Sequence, residues 1–426
     1  MNKLIFVNRF YYPNHSATSQ LLGDLAESLA GAGEEVYVVT SRLRSVDGKT
    51  ELGSTETLRG VNIRRVATSR LGQHSTIGRA TDYLTFLISS LYLLMRLVQK
   101  GDTVVAKTDP PMLSVICWLA ATCRGAKLVN WLQDLFPELA SEMGISLTKG
   151  YLGIALRWVR DLSLRGADLN VVVGQQMRAI LLERGVSAES IAVIPNWADH
   201  KAIVPIPHER NQLRKEWGFE NKFVVGYSGN MGRAHDFETL LQAAKALRNC
   251  SSIAFVIIGG GSQRKTFEKE VIRSGFKNIY FKDYQPRELL HLSLSVADVH
   301  VVSLLPNLEG LLVPSKIYGI AAAGRAICFI GNPEGEVAKL IHANACGITV
   351  ALGESQRLAA TFLEWARTPL VVEKMGRKSR KLLVERYSMS RAIRQWRFEL
   401  TAIGAVRQTP PRSSTNSIAG KTRTIC

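Results

Sequence analysis

Apolar, strand-length runs alternate with amphipathic, helix-length segments along most of this chain, and the alternation restarts once near Lys222. The pattern admits few folds, because strands that recur between helices pair in parallel and are covered on both faces. The first series places strands at Lys3–Asn8, Glu35–Thr40, Val61–Val66, Thr103–Ala106, Ala126–Trp131 and Leu169–Val173. Between the first two, Ser19–Gly31 carries leucines at helical spacing (Leu21, Leu22, Leu25, Leu29), and Gly31 and Gly33 end it. The second series places strands at Phe223–Tyr227, Ile253–Ile258, Ile279–Phe281, Val299–Leu304 and Ala326–Ile330. The expected fold class is α/β, with two doubly wound domains facing a central cleft. Ligands of such sheets bind at the carboxyl ends of the strands.

A chain of 426 residues exceeds one comfortable core and fits two domains. The polar, proline-punctuated stretch ADHKAIVPIPHERNQ (Ala198–Gln212) is the natural linker, and the Ser/Thr/Pro-rich basic end reads as a disordered tail. Lys and Arg number 54 against 36 acidic residues, a formal charge of +18. That excess suits nucleic acid, an anionic membrane face or phosphorylated substrates, or else serves general solubility. Scattered charges without interleaved aromatics rank nucleic acid last. Six cysteines without CxxC spacing indicate reduced thiols, neither a zinc site nor a disulfide frame. The apolar run in MNKLIFVNRFYYP is too short for a signal peptide. YLTFLISSLYLLMRLV (Tyr83–Val98) contains Arg96 and falls short of the roughly 20 residues of a bilayer span. It is expected to be a buried or surface-docking helix.

The segment LLPNLEGLLVPSKIYGIAAAG (Leu304–Gly324) carries the strongest chemical signal. Pro314, Ser315 and Lys316 are expected to open a helix of small residues, with proline in its first turn. The Ser315 hydroxyl, the Lys316 ammonium and free backbone N–H groups then meet at the positive end of a helix, which suits a diphosphate. GYSGNMGRAHD (Gly226–Asp236) follows the first strand of the second series. Gly229, Asn230 and Gly232 allow a tight turn and close backbone approach, and Arg233 and His235 reach toward the cleft; a plain turn with a solvated Arg233 is the alternative. In IGGGSQR the bare backbone at Gly260 leaves room for a flat base, and Tyr284 borders the same pocket. Asp134, in NWLQDLFPE, either faces the cleft to orient or deprotonate a hydroxyl or caps a helix. PNWAD (Pro195–Asp199) is expected to fix the turn into the linker, and His15 of YPNHS is a weaker candidate beside the first strand.

Together these segments resemble GT-B glycosyltransferases of family 4, over nearly the whole chain from Leu4 to about Arg397. The marks are PNWAD at the hinge, GYSGNMG followed by FETLLQAA, GGGSQR, Ala297–Asp298–Val299 and PSKIYGIAAAGRA. The nearest branch is the bacterial one that builds surface polysaccharides. The resemblance implies two Rossmann-like domains: residues 1–200 on the acceptor side, 201–385 binding the nucleotide sugar, a helix over 386–405 returning to the first domain, and a tail over 406–426. It implies retaining transfer from a nucleoside-diphosphate sugar to a lipid-linked or oligosaccharide acceptor at the inner membrane face, with no cofactor and no metal. Arg233 and Lys316 would neutralise the departing diphosphate, helped by Ser315. Gln133 stands where many relatives carry a histidine, beside Asp134. A pair of family glutamates is missing: aligned on AAAG, their positions hold Leu311 and Gly319. Glu309, by a local shift, and Glu336, toward the ribose, are the expected substitutes. The family's glycine pair in the first loop is also replaced, by Ser16–Ala17. The competing readings are a nucleotide-sugar 2-epimerase of the same architecture and, last, a basic nucleic-acid-binding protein.

Overall fold

A computed structural model of the chain describes residues 2–14, 16–43, 51–72, 76–145 and 150–407. His15 and residues 408–426 of the expected tail lie outside them.

The first half runs β1 (Lys3–Val7), α1 (Ala17–Gly31), β2 (Glu35–Ser41), β3 (Thr55–Leu58), β4 (Val61–Val66), α2 (Thr76–Leu97) and β5 (Thr103–Lys107). It continues with α3 (Leu113–Arg124), β6 (Lys127–Leu132), α4 (Glu138–Glu142), α5 (Gly150–Arg165), β7 (Leu169–Val172), α6 (Gln175–Glu183) and β8 (Ile191–Val193). The second half begins α7 (Gln212–Glu216), β9 (Phe223–Ser228), α8 (Glu238–Ala246), β10 (Ile253–Ile258), α9 (Arg264–Arg273), β11 (Ile279–Lys282), α10 (Leu290–Ser295) and β12 (Val299–Ser303). It ends with α11 (Lys316–Ala322), β13 (Ala326–Ile330), α12 (Glu336–Asn344), β14 (Gly347–Val350), α13 (Ser355–Arg367), α14 (Pro369–Leu382) and α15 (Met389–Ala402).

Two sheets result, in the orders β3-β4-β2-β1-β5-β6-β7-β8 and β11-β10-β9-β12-β13-β14. Every pairing is parallel except β3 with β4. Both faces of each sheet are buried, which is why the strands read as unbroken apolar runs. In β1, Leu4 and Phe6 join the core beneath α1, while Ile5 and Val7 join the one beneath α2 and α3. The short strands β3, β8 and β14 escape the sequence pattern. TETL at β3 is a polar edge, held only by a hairpin through Arg59 and Gly60, both at positive φ.

Strand order reverses between β1 and β5 in the first sheet and between β9 and β12 in the second. A crevice opens at the carboxyl ends of the strands at each reversal, and both candidate segments lie there. The chain crosses between the sheets twice, at one place. Ala198 and Ser388 form a parallel bridge, with Ala198 N–H donating to Tyr387 O at 3.3 Å and Met389 N–H to Ala198 O at 3.1 Å. The Asp199 carboxylate turns the linker by accepting from Lys201 N–H at 2.8 Å. Arg380 then fastens it, donating to the carbonyls of His200 and Ile203.

After the second crossing α15 buries Ile393, Trp396 and Leu400 in the core of the first domain. Trp396 meets Trp131 of β6 edge-on, with ring centroids 4.7 Å apart. Trp396→Ala empties a fully buried indole site and is expected to cost about 3–5 kcal/mol, read from denaturant melts.

Candidate active site

Three loops close on one another at the crevice of the second sheet. After β9, Gly229 sits at φ +128°, and a Cβ there would lie 2.8 Å from Lys316 Cε. After β10, Gly259 sits at φ +122°, where a Cβ would collide with the Gly229 carbonyl. Only glycine tolerates both the backbone angle and the crowding at these two points. Met231 N–H donates to Gly260 O at 2.6 Å, and the Gln263 amide donates to the carbonyls of Gly232 (2.7 Å) and His235 (3.1 Å). Tyr227 O–H fixes Asn230 by donating to its carbonyl at 2.8 Å. The exposed ring of Tyr284 lies against the Gly259–Gly260 backbone.

The chemistry of this crevice centres on Lys316. Its ammonium lies 3.0 Å from His235 Nε2, while His235 Nδ1 is 2.5 Å from the Ser303 carbonyl at the end of β12. The carbonyl accepts only, so Nδ1 carries the proton and Nε2 accepts from the ammonium. Burial, and then the Lys316 charge, push the His235 pKa down to about 4, which keeps the ring neutral. Burial alone lowers Lys316 to about 8. The ammonium also stands 5.2 Å from the Tyr227 ring centroid. Among the described residues it has no carboxylate partner. Ser315 is the N-cap residue of α11, but its hydroxyl makes no capping bond. Pro314 therefore lies just before the cap rather than inside the first turn, where it was expected. Arg233 is exposed on the 229–236 loop.

The expected carboxylate substitutes sit elsewhere, at a junction of two helix starts. Glu336, first residue of α12, accepts across the cleft from Gln175 N–H (3.0 Å) and Gln176 N–H (3.2 Å) at the start of α6. Glu309 accepts from the Glu336 backbone N–H, and burial with the nearby Glu336 charge raises its pKa. Converging helix N-termini attract carboxylates, which is the physical reason for both placements. Neither contacts Lys316. The position of the first missing glutamate, Leu311, is buried, and its carbonyl accepts from Leu135 N–H at 3.0 Å. At the second, Gly319 faces Leu294.

That Leu135 contact joins the two domains. Asp134 and Leu312 form an antiparallel bridge, which brings Asp134 from the end of β6 to the segment leading into Lys316. Arg160 of α5 pins the same loop by donating to Phe136 O and Glu138 Oε1, each at 2.7 Å. Burial, and then Asp109, raise the Asp134 pKa to about 7. Asp109 follows β5, the strand beside β6, and burial lifts it to about 6 against the pull of Arg9 and Lys107. Arg9, past the end of β1, lies between the rings of Phe10 and Tyr83, 5.0 and 4.9 Å from their centroids. Gln133 accepts from the Asn196 amide at 2.8 Å and so belongs to the hinge. Sequence reasoning missed Asp109, Arg9 and Arg160; the DPP that ends a strand run was the one available signal. Among the described residues no group of His, Cys, Asp and Glu side chains is arranged to hold a metal ion.

Comparison with known proteins agrees with this geometry. Residues 18–197 match the Glycosyl transferase 4-like domain, and residues 209–382 match Glycosyl transferases group 1. The chain is 27% identical to the probable glycosyltransferase WbjE of Pseudomonas aeruginosa over 311 residues, 73% of this chain and 76% of that one. It is also 27% identical to the putative colanic acid biosynthesis glycosyl transferase WcaI of Escherichia coli over 344 residues, 76% of this chain and 81% of that one. The fold matches Anabaena HepE solved with UDP-glucose, at TM-score 0.70 and 16% identity, covering 94% of this chain and 99% of that one. It matches sucrose-phosphate synthase from Thermosynechococcus elongatus at TM-score 0.72 and 16% identity, covering 94% and 100%.

Glu336→Ala removes the carboxylate that bridges α12 to the start of α6. It is expected to weaken domain contact by about 1 kcal/mol, seen as a larger radius of gyration in solution scattering.

Proposed function

Because the chain belongs to the GT-B glycosyltransferases of family 4, in the branch that serves surface-polysaccharide biosynthesis, we propose that it moves a sugar, with retention, from a nucleoside-diphosphate donor to a lipid-linked or oligosaccharide acceptor. The observation that carries the donor assignment is Lys316, a half-buried cation oriented by a neutral histidine and lacking a carboxylate partner among the described residues. A diphosphate supplies the missing charge.

In this reading the diphosphate lies at the start of the α11 segment, against Lys316 and Ser315, with Arg233 closing from the 229–236 loop. The base rests near Tyr284 and the Gly259–Gly260 backbone. As the bond between the anomeric carbon and the diphosphate oxygen breaks, its electron pair leaves with the diphosphate. Lys316 and Arg233 stabilise the charge that grows there, so no metal ion is required. The acceptor oxygen bonds to the anomeric carbon, and its proton passes to Asp134. The acceptor approaches from the first domain, past Asp134, Asp109 and Arg9. Retention, the lipid-linked acceptor and work at the cytoplasmic face of the membrane belong to this proposal. HepE, solved in complex with UDP-glucose, makes UDP-sugars the first donors to try, with GDP-sugars beside them.

UDP or GDP is expected to raise the melting temperature of the parent chain, by mass action on the folded state. In Lys316→Ala/Arg233→Ala the shift should vanish, and transfer should fall by about two to three orders of magnitude. An unchanged shift and rate in that variant would sink the assignment, and the anomeric configuration of the product, read by NMR, decides retention.

The pH profile tests the base. With its carboxyl raised to about 7, Asp134 is ionised, and able to accept a proton, only as pH rises through that value. Transfer should climb to a plateau above about 7. Asp109→Asn removes a charge that helps raise Asp134, so the midpoint should move to lower pH. A profile that Asp109→Asn leaves in place argues against coupling of the two groups.

A further inference from the structure

We propose that the outer faces of α2, α3 and α5 form one surface that docks the protein on an anionic lipid bilayer. The helices lie side by side: α3 packs against both neighbours, and Ser163 of α5 donates to Ser114 of α3 at 2.9 Å. Their inner sides fill the core over the first sheet, but their outer sides carry large apolar groups in solvent. On α2, Leu84, Ile88 and Tyr92 recur every fourth residue, with Ile88 60% and Tyr92 62% exposed. On α5, Tyr151, Ile154 and Trp158 share a face, with Tyr151 93% and Trp158 61% exposed. Leu119 of α3 stands exposed between them.

Charge identifies the occupant. The three helices contain only two acidic residues, Asp82 and Asp161, and both are buried. Asp82 accepts from Ser69 O–H and from the backbone N–H of Leu71 and Gly72, while Asp161 pairs with Arg160. Every exposed charge on the three helices is therefore an arginine: Arg79, Arg96, Arg124 and Arg165. A second copy laid on this face would set arginine against arginine, whereas anionic headgroups complement it. Tyr92, Tyr151 and Trp158 have the amphipathic rings that settle at headgroup depth, and Arg96 lies 5.0 Å over the Tyr92 ring. No described helix is long and apolar enough to cross a membrane, so the three lie along the interface.

The docking face adjoins the acceptor-side residues of the first domain. Arg160, on the inner side of α5, holds the Asp134 loop, and Tyr83, on the flank of α2, covers Arg9. The use of docking, to reach a lipid-carried saccharide, rests on the acceptor reading above; the docking itself does not.

The test is co-sedimentation of the full chain with vesicles of phosphatidylcholine alone and of phosphatidylcholine mixed with phosphatidylglycerol. The parent should sediment with the mixed vesicles, and less so in high salt. Ile88→Ser/Tyr92→Ser/Trp158→Ser should weaken that binding by about tenfold or more, and Arg79→Glu/Arg96→Glu/Arg124→Glu likewise. Ile272→Ser, at an exposed apolar position on α9, should bind as the parent does. The proposal is overturned if the parent ignores the mixed vesicles or if the first triple variant binds them equally well. It is also overturned if light scattering shows a parent dimer that the same changes dissociate. Melting curves with and without UDP or GDP separate the two readings. A triple variant that loses vesicles but keeps its nucleotide shift supports docking, and a parent that binds vesicles without any nucleotide shift sinks only the donor assignment.

Discussion

An ammonium group held in a crevice with no carboxylate partner among the described residues is the constraint around which the loops of the second domain are arranged. Lys316 owes its place to a chain of contacts beginning at the end of β12, where the Ser303 carbonyl fixes the tautomer and tilt of His235. The Ser303 hydroxyl accepts from Asp236 N–H at 2.8 Å, so one serine fastens two consecutive residues at the end of the 229–236 loop. Gly229, at φ +128°, suits the turn, and a side chain there would also displace the lysine. Desolvation penalises the charge and lowers the lysine pKa. An anion entering the crevice would offset that penalty.

Much of this was legible in the sequence, for identifiable reasons. Fully buried strands such as IAFVII and AICFI announce themselves by continuous apolarity, and both sheets were readable from them. The polar edge strand at 55–58 was not, because only its partner and a tight turn hold it. The glycine turns and Lys316 were visible as local motifs that the fold then brings into one crevice. Glu309 and Glu336, expected in place of the missing family carboxylates, sit at a contact between helix starts that the sequence does not show. Their positions depend on α6, more than 100 residues distant in the chain, and no local pattern encodes a helix end arriving from another domain.

Asp109 shows the complementary failure. An aspartate before two prolines reads as turn chemistry, and its weight comes from β5 lying beside β6. Only that pairing places its charge near Asp134. The arginine under the same loop, Arg160, was hidden for another reason: nothing in its local sequence separates it from a surface cation, whereas the structure buries it among Glu138, Asp161 and a carbonyl. Partner identity, which separates a solvated charge from a structural one, is a property of three dimensions.

The paired crossings at Ala198 and Ser388 have a mechanical corollary. Both covalent links between the halves run through one seam, while other ties between them, such as the Asp134–Leu312 bridge and Glu336 at the start of α6, are hydrogen bonds. Widening the crevice about that seam would break only such non-covalent ties, so no covalent bond limits the girth of what the crevice admits.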